Sequence, residues 1–131
     1  MTSADWFDHL VGLAEFVDKA NARRWTALAK TKAGKRKLTN LLHHQFEPNI
    51  KMFIDCAVWD AEQVLTTLQD LGSPEQVYLI DDTESARSTV SLDEVVYDVV
   101  GCLGGQVIGC VPGRLAYYES GTPGVRMILR K

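Results

Sequence analysis

Over residues 4–20, Trp6, Phe7, Leu10, Val11, Ala14 and Val17 recur at the three- and four-residue spacing of one helix face. The pattern predicts an amphipathic helix capped by Thr2 or Ser3, with Asp5 and Asp8 suited to the positive end of its dipole. Asn21 marks a break. A second helical stretch, Ala22 to about Lys32, turns Trp25, Leu28 and Ala29 inward until Gly34 interrupts it. Lys35–Phe46 reads either way: Leu38, Leu41, Leu42 and Gln45 or Phe46 fit a helix, yet the segment is short enough for a strand. Pro48 disfavours helical geometry at Glu47 and sets a boundary there. Ile50–Trp59 alternates loosely, with Ile50, Met52 and Ile54 on one side, and predicts a strand.

The middle of the chain has sharper local signals. Asp60 with Gln63 forms an acidic version of a capping box, opening a helix that buries Val64, Leu65, Leu68 and Leu71. Gly72 suits the left-handed position after it, and Pro74 blocks continuation. Gln76–Ile80 is a short run of β-formers, Asp81–Thr89 a polar loop. Ser91 with Glu94 predicts another capping box, ahead of an apolar stripe of Leu92, Val95, Val96, Val99 and Val100 that Gly101 ends.

From Gln106 onward the pattern is β. Gln106–Val111, Arg114–Glu119 and Val125–Arg130 are three strands. Val111-Pro112-Gly113-Arg114 matches a type II turn, and Ser120–Gly124 is a loop. Short connections make these strands an antiparallel meander, with the helices over one face. The fold class that follows is α+β: N-terminal helices packed on a small, largely antiparallel sheet with a C-terminal β-meander. One domain spans 1–131, divisible into a mainly helical 1–47 and an α/β 48–131 with C-terminal hairpins. Gly34–Lys37 is the candidate flexible joint, and a helical hairpin loosely tied to an α/β half is the alternative architecture.

Composition fits a globular chain. At 131 residues, 46% hydrophobic and 24% charged, it can bury roughly two thirds of its unfolded surface. Apolar runs such as Val107–Val111 are far shorter than a membrane span. The acidic start, with Asp5 and Asp8, lacks the basic opening of a secretory signal. Three cysteines (Cys56, Cys102, Cys110) are an odd number at irregular spacing, each among apolar residues; reduced core thiols in a cytoplasmic protein are expected.

The net charge of −3 hides an asymmetry. Lys19 to Phe46 holds eight cations and no acid: Lys19, Arg23, Arg24, Lys30, Lys32, Lys35, Arg36 and Lys37. Asp55 to Asp98 holds eleven acids against Arg87 alone. Either the surface is bipolar or the two blocks neutralise each other on folding.

Candidate chemistry is sparse. The block containing Arg23, Arg24, Trp25, Lys35, Arg36 and Lys37 could neutralise phosphates and stack on bases, although a pI near 5.5 opposes a dedicated nucleic-acid protein. His43 and His44 are adjacent, and adjacent side chains diverge; a shared metal would need His9, Glu47 or a cysteine. Cys56 with either His could pair nucleophile and base, but its neighbours read as buried. Gly101–Gly109 runs helix, glycine loop, strand, the wrong polarity for a phosphate cradle. The acids Asp55, Asp60, Asp81, Asp82, Glu84, Asp93 and Glu94 lack the spacing of a calcium loop and read as a solvated surface or a face for a basic partner. On the strand after the turn Arg114, Ala116 and Tyr118 share one face, and with Arg126 on the next strand one sheet face could present Arg and Tyr.

The leading expectation is a non-enzymatic binding or regulatory module acting through a protein partner, with Arg114, Tyr118 and Arg126 as contacts. The alternative is nucleic-acid binding through the basic block over 23–37. An enzyme of unknown class, using the carboxylates with His43 or His44, is the second alternative. No catalytic residue, metal or cofactor is assigned and no membrane contact is expected. An exposed edge of the meander could pair two copies as a homodimer.

Overall fold

In the computed structural model, which describes residues 5–43, 46–81 and 88–131, helix α1 (Trp6–Gly12) starts from Asp5. Asp5 and Asp8 form a reciprocal capping box; Thr2 and Ser3, the predicted caps, lie outside the described residues. The helix is shorter than the apolar spacing implies. It tightens into a 3-10 turn over Leu13–Phe16, and Val17 is extended. The break comes at Val17–Asp18 rather than Asn21, because the Asp18 carboxylate accepts the Asn21 N–H and caps α2 (Lys19–Leu28). Thr31 caps α3 (Lys32–Leu41) in the same way, through Gly34 N–H, so the ambiguous segment is helical.

Gly34 therefore neither interrupts a helix nor loosens a joint. It is buried in the first turn of α3, where a Cβ would stand 1.9 Å from the Leu28 carbonyl oxygen. The absence of a side chain lets α3 fold back against the end of α2.

After a 3-10 turn over Ile50–Met52, the predicted strand shrinks to β1 (Phe53–Asp55). Then come α4 (Ala61–Asp70), opened by the expected Asp60–Gln63 box, β2 (Gln76–Ile80) and β3 (Val90–Ser91). Helix α5 (Leu92–Val99) lacks the expected Ser91–Glu94 box: Asp93 takes both the Ser91 hydroxyl and the Glu94 N–H. Strands β4 (Gln106–Val111), β5 (Leu115–Glu119) and β6 (Arg126–Arg130) complete the chain. Gly113 adopts a φ of +69° in the β4–β5 turn, which Arg114 N–H closes on Val111 C=O at 3.0 Å, as the Pro-Gly signal requires.

The six strands form one sheet in the order β1-β6-β5-β4-β2-β3, every neighbouring pair antiparallel. The chain is thus α+β with the meander at its centre. β1 covers one side of the meander and β2 the other, so it has no free edge.

Helices cover both sheet faces, not one. Ala116, Tyr118, Met127 and Leu129 pack with α1, α2 and α3, around Trp6, Leu10, Trp25 and Leu38. Leu115, Tyr117 and Ile128 pack with α4 and α5, around Val64, Leu68, Val95 and Val96. The physical reason is that β4 and β5 are apolar at both parities, and a strand of that kind needs cover on each side. Polar ties fasten the first layer. Trp6 and Trp25 donate their indole N–H groups to Leu79 O (3.0 Å) and Leu10 O (2.7 Å). Past the end of α3, Leu42 O accepts the Tyr118 hydroxyl, and His43 O accepts the Ser120 hydroxyl and Gly121 N–H. Carbonyls that a helix C-terminus leaves orphaned are satisfied by the end of β5 and the residues after it. Among the described residues no helix is long and apolar enough to cross a membrane.

Gly34→Ala tests the α2–α3 packing. Alanine is the better helix former by about 1 kcal/mol, but the obstruction is backbone, and overpacking of this kind costs about 1–3 kcal/mol. The expected result is a lower urea midpoint with an unchanged slope; a rise in midpoint would refute the close-packing role.

Candidate functional site

The fold sorts the charge blocks onto opposite sides of the sheet. Helices α2 and α3 carry Lys19, Arg23, Arg24, Lys32, Lys35, Arg36 and Lys37 and no acid, with Lys30 in the turn between them. All eight are exposed except Lys35, which is half-buried with its ammonium 4.2 Å from the centre of the Phe7 ring. Across the sheet, α4 and α5 carry Glu62, Asp70, Asp93, Glu94 and Asp98, all exposed, and no Lys or Arg. The surface is bipolar, and the sheet stands between the cationic helices and the acidic ones.

Within the cationic layer, Trp25 does not do what its place in the basic block suggests. It is buried, its indole committed to Leu10 O and its ring 5.3 Å from that of Phe46, so it offers no exposed face for a base. Arg23, Arg24, Arg36 and Lys37 do face outward. Beside Trp25 lies a groove of about 270 Å³. Its apolar side comes from Val17, Trp25, Leu28, Leu41 and Phe46, and its polar rim from Asn21, Arg24 and Glu47.

Arg114, Tyr118 and Arg126 do not come together on an open face. Arg114 is exposed. Tyr118 is 1% exposed, fixed to Leu42 O at 2.6 Å, and burial raises its phenol pKa. Arg126 pairs across the ladder with Glu119 and so belongs to the face opposite Tyr118; its guanidinium donates to the carbonyls of Ala57 and Trp59. Each strand alternates as its sequence predicts, but the register that puts Arg126 on the other face is not encoded by alternation within a strand.

A buried polar cluster lies on the acidic side, and only its members' shared parity on β5 signalled it. Glu119 is fully buried. Its carboxylate accepts the Tyr117 hydroxyl (2.7 Å), Gly101 N–H (2.7 Å) and Leu103 N–H (2.6 Å). Burial and the Glu119 carboxylate both raise the Tyr117 pKa. Burial pushes the Cys56 thiol up to about 12 despite the Arg126 charge nearby. A thiol held that high is protonated near neutrality and makes a poor nucleophile. Cys56 also packs with α4 and α5, whereas His43 follows α3 on the other face, so the two do not pair.

Of the remaining candidates, His44, Asp82 and Glu84 lie outside the described residues. Among the described residues no three His, Cys, Asp or Glu side chains gather into a set that could hold a metal ion. His9 is buried on α1, its ring 5.1 Å from that of Tyr78, and burial lowers its pKa while Asp8 and Asp5 oppose the shift. Cys102 is exposed rather than in the core, because it follows the end of α5 at a surface turn; Cys56 and Cys110 are buried as expected. No family model matches the chain, and comparison with curated proteins and with solved structures finds no match.

Two measurements check this picture. Ellman's reagent should titrate one thiol, Cys102, in the native protein and all three after unfolding. The second concerns His9. Its native pKa lies below 6.5, so as pH falls through 6.5 the unfolded chain takes up a proton before the native one. Stability should therefore fall between pH 6.5 and the lower native value, and level off on either side. His9→Gln should flatten that step in urea titrations; an unchanged step would place its origin elsewhere.

Proposed function

We propose that the protein is a non-enzymatic binding module that recognises a protein partner through the cationic α2–α3 layer. The observation that carries this reading is the one-sided charge: eight cations without an acid between Lys19 and Phe46, seven of them exposed. A helix is about 10–12 Å across, so the outer faces of two helical layers with a sheet between them stand more than roughly 20 Å apart, over twice the Debye length of about 8 Å at physiological salt. A partner approaching α2 and α3 is attracted by their charge with little opposition from α4 and α5, although Asp5, Asp8 and Asp18 on the same side offset part of it, and steering of this kind raises association rates by roughly 10 to 10³.

Supporting the non-enzymatic part, Cys56 is held protonated and Tyr117 and Glu119 are sealed inside. The burial of Trp25 favours a protein partner over nucleic acid, since it removes the stacking platform that single strands use. Cation density over 23–37 keeps nucleic acid as the second reading.

The test is capture from the native cell on immobilised protein. A variant with Glu62→Lys, Asp93→Lys and Asp98→Lys should keep the partner, and the same variant with Arg23→Glu, Arg36→Glu and Lys37→Glu added should lose it. Capture should weaken as salt rises. Capture that disappears after nuclease treatment favours the nucleic-acid reading, and capture indifferent to the cationic variant removes the proposal.

A further inference from the structure

The α2–α3 groove has a specific chemistry. Its floor is two aromatic rings, Trp25 and Phe46, already locked from behind: the indole by Leu10 O, and the phenyl by an edge contact to Tyr118 at 5.0 Å. Such a floor is preformed. Arg24 stands on the α2 rim one turn before Leu28 on the wall, and Glu47 supplies a single carboxylate. On α3, Lys37 lies one turn before Leu41, which also lines the groove. At about 270 Å³ the cavity is below the usual range for drug-sized ligands and suits one large side chain. The apolar lining asks for a large apolar side chain, the cationic rim for flanking acids, and Glu47 for a hydroxyl or N–H donor. That last group disfavours a free carboxylate ligand.

The same chain presents the matching piece on its other side. Tyr97 on α5 is 58% exposed. Asp93 and Glu94 sit one helical turn before it and Asp98 directly after it, all exposed. Its ring could enter the groove against Val17, Leu28 and Leu41, its phenol donate to Glu47, and its acidic neighbours meet Arg24 and Lys37. Tyrosine and arginine are the residue types that most often anchor protein interfaces.

Resting on the reading of the cationic layer as a partner surface, we infer that the partner is a second copy of this chain, whose Tyr97 inserts into the α2–α3 groove. Groove and anchor lie on opposite sides of the sheet, so the contact is heterologous and cannot close by a two-fold axis; each added copy leaves one groove and one anchor open. One anchor with a few ion pairs falls well short of the roughly 1,200–2,000 Å² of a stable interface, so the association is weak and strengthens at low salt.

Sedimentation velocity on the intact protein tests this. The wild type should grow past dimer with concentration at low ionic strength and return to monomer in about 0.5 M salt. Tyr97→Ser and Arg24→Glu, both at exposed positions, should each abolish growth, with affinity reduced at least about tenfold. Mixed in equal amounts, the two variants should form a dimer and stop, because one retains only the groove and the other only the anchor. A mixture that stays monomeric, single variants that assemble like wild type, or a wild type that is monomeric or halts at dimer would each overturn self-recognition. If native-cell capture still requires the cationic layer in any of those cases, the binding-module reading stands without it.

Discussion

Strand β5 has no contact with water on either face. All five residues from Leu115 to Glu119 are buried, Ala116 and Tyr118 against one helical layer and Leu115 and Tyr117 against the other. A central strand with two apolar faces cannot be stable under a single sheet of helices, because the uncovered face would leave large aromatic area in water. The need for cover on both sides determines the rest. The helices before β1 take one face, and those between β1 and β4 take the other.

This division explains the charge distribution. The cationic block over 19–37 and the acidic block over 55–98 are separated along the chain, and the fold keeps these two blocks apart because each helical layer is drawn from one contiguous stretch. Had the helices alternated between faces, the blocks would have interleaved and neutralised each other. They do not, and α2 and α3 stay predominantly cationic although Asp5, Asp8 and Asp18 lie in the same helical layer.

Features governed by residues close in sequence were legible. The Asp60–Gln63 box, the left-handed Gly72, the Pro-Gly turn and the antiparallel meander all form as the local chemistry dictates. Features decided by distant packing were not. The first helix takes Asp5, read only as a partner of its dipole, as its cap rather than Thr2 or Ser3. Gly34 resembles a helix breaker until Leu28 O is seen against it. Tyr118 resembles an exposed recognition residue because its strand face is known without what covers it, whereas Trp25 is buried as its helical spacing requires and only its candidacy as a stacking residue fails. The groove depends on Phe46 folding back over α2, which no spacing announces.

Glu119 links the second layer to the same strand. A fully buried carboxylate pays a large desolvation cost, yet here three donors surround it: the Tyr117 hydroxyl and the Gly101 and Leu103 N–H groups. Leu103 holds a left-handed φ of +56°, which costs a side-chain-bearing residue about 1–3 kcal/mol. The Leu103 and Gly101 N–H groups both bond to Glu119, which holds the loop in this conformation. The loop that turns α5 back into β4 thus takes its shape from the last residue of β5. Tyr118 and Ser120, on either side of Glu119 in sequence, fix the carbonyls that follow α3 on the opposite face. Three consecutive residues therefore secure the C-terminal ends of one cationic helix and one acidic helix, and the orientation of both charged layers depends on the end of a single strand.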